Sequence, residues 1–293
     1  MCLPITVFTP TYNRAYLLPR LFESLCKQTF KNFEWLIVDD GSTDNTTEVV
    51  EVLQTHPAKT FPIRYYRKEN RGKHTAINLG VKDARGELFF IADSDDILPP
   101  DSLENVIFEW KSIKDNSSFG GICGLDSTFE GKLIGSGLPF DKIDGTSIDV
   151  RFRLGVTGDM KEVFRVSVLK EFPFPEIDGE RFCPEVLVWN RIATKYQLRY
   201  INQVVYMAEY QPNGITSTIT RSRMESPIAS TMTYAEMLDY DIPLKEKVRS
   251  AINYWRFWYC GADSSLMPKV RWYWQIARPA GYLMHLRDNK IAK

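Results

Sequence analysis

The 293-residue sequence has few cysteines, and they form no recognisable pairing pattern. There are five, an odd number, and no two of them stand in a C-x-x-C arrangement: Cys2, Cys26, Cys123, Cys183 and Cys260. This pattern disfavours both a disulfide framework and a zinc site. It favours a protein of a reducing compartment, where cysteines remain as thiols.

Long hydrophobic runs and an excess charge of one sign are also missing. No apolar run approaches the roughly 20 residues of a membrane span. We expect no secretory leader, because a predicted strand begins within a few residues of Met1. The formal net charge is zero, so overall electrostatics gives no reason to expect a nucleic-acid partner. We therefore expect a cytoplasmic protein that does not bind nucleic acid.

Short apolar runs alternate with helically spaced segments over the first 110 residues. We predict four strands there, at Ile5–Phe8, Phe33–Val38, Ile63–Tyr66 and Leu88–Ala92. Such alternation implies parallel strands joined by right-handed crossovers. Later strand-like pieces, such as Leu133–Ile134 and Glu162–Val166, indicate a mixed sheet. Pro184 opens a well-patterned helix, and the chain from about Glu225 onward has a helical pattern.

Three acidic residues, Asp93, Asp95 and Asp96, follow the fourth predicted strand within four positions. Like charges repel, and burial disfavours ionised carboxylates, so gathering them at the edge of a core is costly. Mg²⁺ or Mn²⁺ would remove this cost, and ligands of open α/β sheets bind at the carboxyl ends of strands. We interpret these acids as a metal site. The alternative is that Asp93 and Asp96 cap the next helix or form an Asx turn.

A second acidic pair, Asp39 and Asp40, ends the second predicted strand at the same edge of the sheet. Either carboxylate could accept a hydrogen bond from the imide N–H of a pyrimidine or from a ribose hydroxyl. Alternatively, Asp40 is a turn former before Gly41 and Ser42.

A polar loop, residues 70–73, adds positive charge near this edge. Gly72 permits a close backbone approach, and Arg71 or Lys73 could meet a diphosphate, although a solvated basic loop is the alternative. No Walker A sequence and no dinucleotide fingerprint is present, so neither P-loop chemistry nor a Rossmann redox cofactor is supported.

Six ordered motifs in the first 110 residues resemble those of family 2 glycosyltransferases of GT-A fold. They are Pro10-Thr-Tyr-Asn13, Val38-Asp-Asp-Gly-Ser-Thr-Asp44, Asn70-Arg-Gly72, Ala76-Ile-Asn78-Leu-Gly80, Ala84-Arg-Gly86 and Asp93-Ser-Asp-Asp96. The resemblance implies an α/β fold with a Rossmann-like mixed sheet flanked by helices. It also implies an inverting transferase that uses a nucleotide-diphosphate sugar donor, of UDP type, with Mg²⁺ or Mn²⁺.

The resemblance carries over to particular residues. It implies a nucleotide-sugar site formed by Pro10, Tyr12, Asn13, Asp39, Asp40, Asn70, Arg71, Gly72, Lys73, Asn78, Asp93 and Ser94. It implies a metal held by Asp95 together with Asp93.

Such enzymes also need a general base, which in the family commonly lies in a Glu-Asp or Asp-Asp pair that opens a later helix. This sequence departs from that pattern and offers Asp178, Glu180 and Glu185. We predict Glu185 as the base, because it opens a helix whose N-terminus would stabilise the carboxylate. Glu180 and Asp178 are the fallback candidates, and an ordinary first-turn helix acid is the alternative interpretation of Glu185.

The C-terminal part is basic and aromatic. Residues 242–293 contain ten Lys or Arg against three Asp or Glu, together with the aromatic segments Tyr254–Tyr259 and Trp272–Trp274. Arginines and aromatics on amphipathic helices suit an anionic membrane surface. We therefore predict a peripheral contact of residues 245–290 with the inner face of the cell membrane. The alternatives are that these aromatics cover the catalytic domain or form a dimer contact.

We predict a catalytic domain over residues 1–220, with a nucleotide-binding half at 1–115 and an acceptor-binding half at 116–220. A helical C-terminal extension follows at 221–293. The predicted function is sugar transfer to a hydroxyl of a glycan or lipid-linked acceptor, in capsular polysaccharide, surface polysaccharide or lipopolysaccharide synthesis. The rivals are a sugar-1-phosphate nucleotidyltransferase and a non-catalytic sugar-nucleotide-binding module. The oligomeric state, the donor sugar and the linkage are left open.

Overall fold

The computed structural model describes residues 3–209, 215–261 and 263–291. The strands of these residues are β1 (Leu3–Thr11), β2 (Phe33–Asp39), β3 (Ile63–Arg67), β4 (Gly86–Ile91), β5 (Phe119–Ser127), β6 (Lys142–Gly145), β7 (Met160–Arg165) and β8 (Gln197–Met207). The α-helices before β8 are α1 (Leu18–Cys26), α2 (Thr46–Thr55), α3 (Lys73–Asp83), α4 (Ser102–Ile113), α5 (Val166–Glu171) and α6 (Glu185–Ala193). The later ones are α7 (Ile215–Glu225), α8 (Pro227–Met237), α9 (Leu244–Trp258) and α10 (Arg278–Ile291).

The chain divides into two compact units. The first comprises residues 1–173 and 191–210, and the second comprises residues 174–190 and 211–293. All the strands named above belong to the first unit, whereas α7 to α10 belong to the second. The domain boundary that we place at residue 220 remains a prediction.

The strands form one mixed sheet in the order β3-β2-β1-β4-β7-β5-β8-β6. The strands β1 to β4 pair in parallel, as their alternation with helices predicts, and Thr11 of β1 lies opposite Asp39 of β2. Strand β7 runs antiparallel to both β4 and β5, while β8 runs parallel to β5. The carboxyl ends of β1 to β5 and β8 therefore lie at one edge of the sheet, together with the beginning of β7.

The core of the first unit follows from apolar strands covered by amphipathic helices. Every residue of β2 is buried, which is typical of a parallel strand with helices on both faces. Helix α1 buries Leu18, Leu21 and Leu25, which stand three and four residues apart on one helical face. This packing fixes the strand ends, and with them the residues that follow each strand.

The charged side chain of Glu34 lies fully buried within this core. Glu34 of β2 has no exposed surface, and its carboxylate accepts hydrogen bonds from the Thr6 hydroxyl at 2.7 Å and the Arg85 N–H at 2.8 Å. Arg64 completes the set with an ion pair of 3.1 Å. A buried carboxylate is tolerable only when it is paired in this way.

The second unit has an aromatic core of its own. Tyr254, Trp255 and Phe257 of α9 are buried there, and they pack with Tyr234 of α8 and Trp274. These three α9 aromatics therefore do not form a surface for a membrane, in contrast to what the sequence pattern suggests for Tyr254–Tyr259. None of the helices in the described ranges is long and apolar enough to cross a bilayer.

Three sequence-level details differ from the structure. Leu133 forms only an isolated bridge with Ser127, so Leu133–Ile134 is not a strand. The edge strand β6 was not predicted, because its four residues are largely exposed and carry no apolar alternation. Helix α7 begins at Ile215, ten residues before the predicted start of the helical region.

Candidate active site

The site begins where β2 runs into Asp39, which is fully buried. Its Oδ1 accepts hydrogen bonds from the N–H of Ser42 at 2.8 Å and from the Ser42 hydroxyl at 2.6 Å. Its Oδ2 accepts a hydrogen bond of 2.7 Å from the Tyr65 hydroxyl. Burial, with a contribution from Asp39, raises the pKa of Tyr65 to about 12, so Tyr65 stays a donor. Asp39 therefore fixes the turn that follows β2.

Asp40, which is 4% exposed, shapes the basic loop. Its Oδ1 accepts hydrogen bonds from Lys68 Nζ at 2.5 Å and from the Arg71 N–H at 3.0 Å, and its Oδ2 accepts one from the Gly72 N–H at 2.7 Å. Gly72 has φ +98°, a left-handed conformation that glycine adopts readily. The Asp40 carboxylate therefore holds a loop about 30 residues further along the chain, whereas Asp39 holds the turn after β2.

The segment after β1 is tied to the turn after β2. Asn13 has φ +53°, and its N–H donates a hydrogen bond of 2.9 Å to the Ser42 hydroxyl. Its side-chain oxygen accepts one of 2.7 Å from the N–H of Thr43. Pro10 lies buried in β1, whereas Tyr12 keeps 47% of its surface exposed. Tyr12 is therefore accessible to a ligand at this edge.

Basic side chains compensate the negative charge of the acids that follow β4. Lys73, the first residue of α3, contacts both carboxylate oxygens of Asp93, at 2.7 and 2.9 Å. Arg14 lies 3.3 Å from Oδ2 of Asp95. Burial alone would raise the pKa of Asp93, but Lys73 and Lys161 hold it below its ordinary value. Burial and the charge of Asp93 raise the pKa of Asp95. Arg14 belongs to no motif, and sequence reasoning missed it.

Asp96 has a structural partner in the chain that follows β8. Its Oδ1 accepts a hydrogen bond of 2.9 Å from the N–H of Glu209. The hydroxyl of Tyr206 accepts one of 2.7 Å from the N–H of Asp93. Burial and the charge of Asp93 raise the pKa of Asp96 to about 7. Hydrogen bonds with Tyr206 of β8 and with Glu209 after it therefore help to hold the acids that follow β4.

Two further charged residues at this edge were missed from the sequence. Asp126 lies near the end of β5, and burial raises its pKa to about 7. Lys161 lies near the start of β7, with its Nζ 3.4 Å from the centroid of the Tyr206 ring. Neither stands in a recognisable motif, and only the pairing of strands brings them to the acids of β4.

The remaining nucleotide-site candidates lie on the same unit. Ser94 is buried in the turn between Asp93 and Asp95, and Asn78 is half-buried on α3. Asn70 precedes the Arg71 and Gly72 amides that Asp40 holds. The structure therefore places most of the predicted nucleotide-site residues on the segments that follow β1 to β4, with Pro10 inside β1 and Asn78 in the middle of α3.

The residues after β4 suit a hard divalent cation. Asp93 and Asp95 offer carboxylate oxygens, which Mg²⁺ and Mn²⁺ prefer, and both acids are paired with basic side chains in this structure. Within residues 3–209, 215–261 and 263–291, no group of three or more His, Cys, Asp or Glu side chains is arranged to hold a metal. Two carboxylates are a ligand set of the kind that Mg²⁺ commonly uses together with substrate phosphates.

The three candidates for the general base belong to the second compact unit. Glu185 is the first residue of α6, as the sequence predicts for a helix-opening acid. Glu180 is 8% exposed, and its two oxygens accept hydrogen bonds from the N–H groups of Ile228 at 2.6 Å and Ala229 at 2.9 Å. Glu180 therefore stabilises the N-terminus of α8, a role that the sequence did not reveal.

We predict that Glu180→Ala lowers the free energy of unfolding by about 1–3 kcal/mol, because two buried N–H groups lose their acceptor. Glu185→Ala, the matched control, should change stability by less than about 1 kcal/mol. Urea denaturation followed by circular dichroism measures both. Equal stability losses in the two variants would contradict the capping role of Glu180.

Comparison with known proteins supplies relatives for the first part of the chain. Residues 6–130 match the family described as glycosyl transferase family 2. An uncharacterized glycosyltransferase of Rickettsia felis is 42% identical over 100 residues, which is 34% of this chain and 16% of that protein. Glycosyltransferase GlyG of Streptococcus pneumoniae is 37% identical over 103 residues, 35% of this chain and 33% of that protein. Chondroitin synthase of Escherichia coli is 36% identical over 107 residues, which is 36% of this chain and 15% of that protein. The chain thus matches a third or less of each of these relatives.

Solved structures resemble nearly the whole chain. S. aureus TarS 1–349, in complex with UDP-GlcNAc, aligns with a TM-score of 0.63 and 21% identity, over 95% of this chain and 79% of that one. The mannosyltransferase PcManGT of Pyrobaculum calidifontis was solved in complex with GDP-Man and Mn²⁺. It aligns with a TM-score of 0.56 and 21% identity, over 100% of this chain and 76% of that one. At such identity the likeness concerns the fold, and it confirms the predicted GT-A mixed sheet with a helical C-terminal region.

Proposed function

We propose that the protein transfers a sugar from a nucleotide-diphosphate donor to a hydroxyl acceptor, because residues 6–130 match glycosyl transferase family 2 and the fold resembles that of GT-A transferases. The observation that carries this proposal is the meeting of two acidic strand ends with a basic loop. Asp40 holds the loop through Gly72, and Lys73 from that loop pairs with Asp93. A site of this kind offers both signs of charge to a metal-diphosphate group.

The donor class follows from the shape and charge of this edge. Tyr12 is exposed beside the turn that Asn13 and Ser42 hold together, so its ring is available to a nucleobase. Asp39 and Asp40 act by fixing this turn and the loop at 70–73. TarS and PcManGT were solved with UDP-GlcNAc and GDP-Man, which supports a nucleotide sugar as the ligand. We favour a donor of UDP type.

Asp95 and Asp93 would hold the Mg²⁺ or Mn²⁺. When bound, the cation would neutralise charge on the departing diphosphate. Lys73 and Arg14 pair with these carboxylates in the structure, and both would be able to bind phosphate oxygens once a cation compensates the acids. The positive charge of these two side chains thus contributes to donor binding.

Glu185 is the proposed general base. It would take the proton of the acceptor hydroxyl as that oxygen forms its bond to the anomeric carbon and the bond to the diphosphate breaks. Attack from the side opposite the leaving group gives inversion. Glu180 is less suited to this role, because both its oxygens accept backbone hydrogen bonds at the start of α8. Asp178 remains the fallback candidate.

The acceptor class is proposed from the surface of the second unit. Trp272 and Ile276 are 81% and 84% exposed, and Lys247 and Arg271 line a groove of about 480 Å³ together with Ile276. Exposed aromatic and aliphatic side chains among basic residues suit the interface of an anionic membrane. We propose a cytoplasmic enzyme that contacts the inner face of the cell membrane. Its acceptor would be a lipid-linked or surface glycan.

We predict that Asp95→Ala abolishes metal-stimulated binding of UDP and all turnover of the donor, because one of two carboxylate ligands is lost. Isothermal titration of UDP with Mn²⁺ or with EDTA measures the first effect, which should be about tenfold or more. Asp101→Ala, an acid beyond the cluster, serves as the control. Retention of the Mn²⁺ effect in Asp95→Ala would contradict the metal assignment.

We predict that Glu185→Gln binds UDP as tightly as the wild type but transfers sugar about 10²–10⁴-fold more slowly, because the proton acceptor is lost. The measurement is release of UDP in the presence of acceptor, beside titration of UDP. If Asp178→Asn shows this loss instead, the base is Asp178. Release of pyrophosphate would favour the nucleotidyltransferase, and donor binding without turnover would favour the non-catalytic module.

We predict that the protein sediments with vesicles of phosphatidylcholine and phosphatidylglycerol but not with vesicles of phosphatidylcholine alone. A Trp272→Ala and Ile276→Ala double variant should bind about tenfold more weakly, because the apolar side chains that enter the interface are removed. Phe108→Ala, which removes an exposed aromatic of the first unit, is the control. Equal binding to both vesicle types would contradict the contact.

A further inference from the structure

One buried carboxylate oxygen at the edge of the sheet has no hydrogen-bond donor among the residues that the structure describes. It is Oδ1 of Asp126, a residue that is 4% exposed. A buried polar atom in this state costs free energy of about 1–3 kcal/mol. Buried polar groups in native proteins are usually satisfied, so this oxygen, at the edge where the donor would bind, is a candidate acceptor for a hydrogen bond from a ligand.

The position of Asp126 connects it to the acids after β4. It lies opposite Tyr206 in the pairing of β5 with β8, and the Tyr206 hydroxyl accepts the hydrogen bond from the N–H of Asp93. Strand β7 lies between β4 and β5, and Lys161 near its start exerts its charge on Asp93, Asp96 and Asp126 alike. Asp126 therefore borders the proposed metal-diphosphate site, on the side away from the nucleotide-binding loops.

The surroundings of Asp126 also indicate what chemistry would satisfy it. The ammonium group of Lys161 already supplies positive charge to this cluster, so no second cation is required. An anionic group would be repelled by Asp96 and Asp126. A neutral hydroxyl or amide N–H donates a hydrogen bond without adding charge, and these are the groups that a hexose or an N-acetylhexosamine presents.

Resting on the proposed function, we propose that Asp126 is a specificity-determining residue whose Oδ1 accepts a hydrogen bond from a hydroxyl or amide group of the donor sugar. A site built around such an acceptor discriminates strongly against a sugar that has no hydrogen-bond donor at this position, because the carboxylate is then left unpaired.

The test compares the binding of UDP with that of UDP-sugars. Titrations in Mn²⁺ of UDP, UDP-glucose, UDP-galactose, UDP-GlcNAc and UDP-GalNAc, without acceptor, establish the preference of the wild type. Asp126→Ala should bind UDP within about twofold of the wild type but bind the preferred UDP-sugar about tenfold or more weakly. Asp126→Asn, which keeps the shape of the side chain, should show a smaller loss. The discrimination among the four UDP-sugars should fall in both variants.

The control is Asp144→Ala, which removes an aspartate of β6 that pairs with Arg199 outside this cluster. It should leave all five affinities unchanged. Unaltered ratios of UDP-sugar to UDP affinity in Asp126→Ala would overturn this inference and leave the proposed function standing. Equal losses of UDP and UDP-sugar affinity would also overturn it, because Asp126 would then only support the edge. Failure of the wild type to bind any of the five nucleotides would overturn the proposed function and the inference together.

Discussion

The gathering of carboxylates at one edge of the sheet is the constraint on which the site depends. Each acid that follows β2 and β4 is held by a partner of opposite charge or by backbone N–H groups. Asp40 accepts from the amides of the 70–73 loop, Lys73 pairs with Asp93, and Arg14 lies beside Asp95. Without these partners, repulsion and desolvation would displace the acids from the edge. The same partners give the loops around the site a defined conformation before any ligand binds.

Much of this arrangement could be predicted, because strand ends leave a strong sequence signal. Apolar runs that stop at Asp39 and Asp93 predict both the parallel sheet and the edge where the acids meet. The motifs then indicate which residues belong to a nucleotide site. The edge strand β6 could not be predicted, since its four largely exposed residues need no apolar pattern.

The parts that could not be predicted depend on contacts between residues distant in sequence. Asp126 and Lys161 reach the acids of β4 only because β7 inserts between β4 and β5 in the sheet. Nothing in the local sequence distinguishes Glu180 from a solvent-facing acid. In the fold its carboxylate accepts a hydrogen bond from Ile228 at the start of α8, 48 residues further along the chain. Local pattern specifies which strand an acid follows. The order of strands decides which acids become neighbours, and no spacing in the sequence encodes that order.

The central claim is that a divalent cation binds at Asp93 and Asp95 and bridges them to a nucleoside diphosphate. Anomalous diffraction from crystals grown with Mn²⁺ and UDP tests it most directly. We expect one Mn²⁺ peak within coordination distance of Asp95 and of diphosphate oxygens, with the uracil near Tyr12 and the turn held by Asp39. A Mn²⁺ peak or a UDP molecule located away from the carboxyl ends of β2 and β4 would contradict the account.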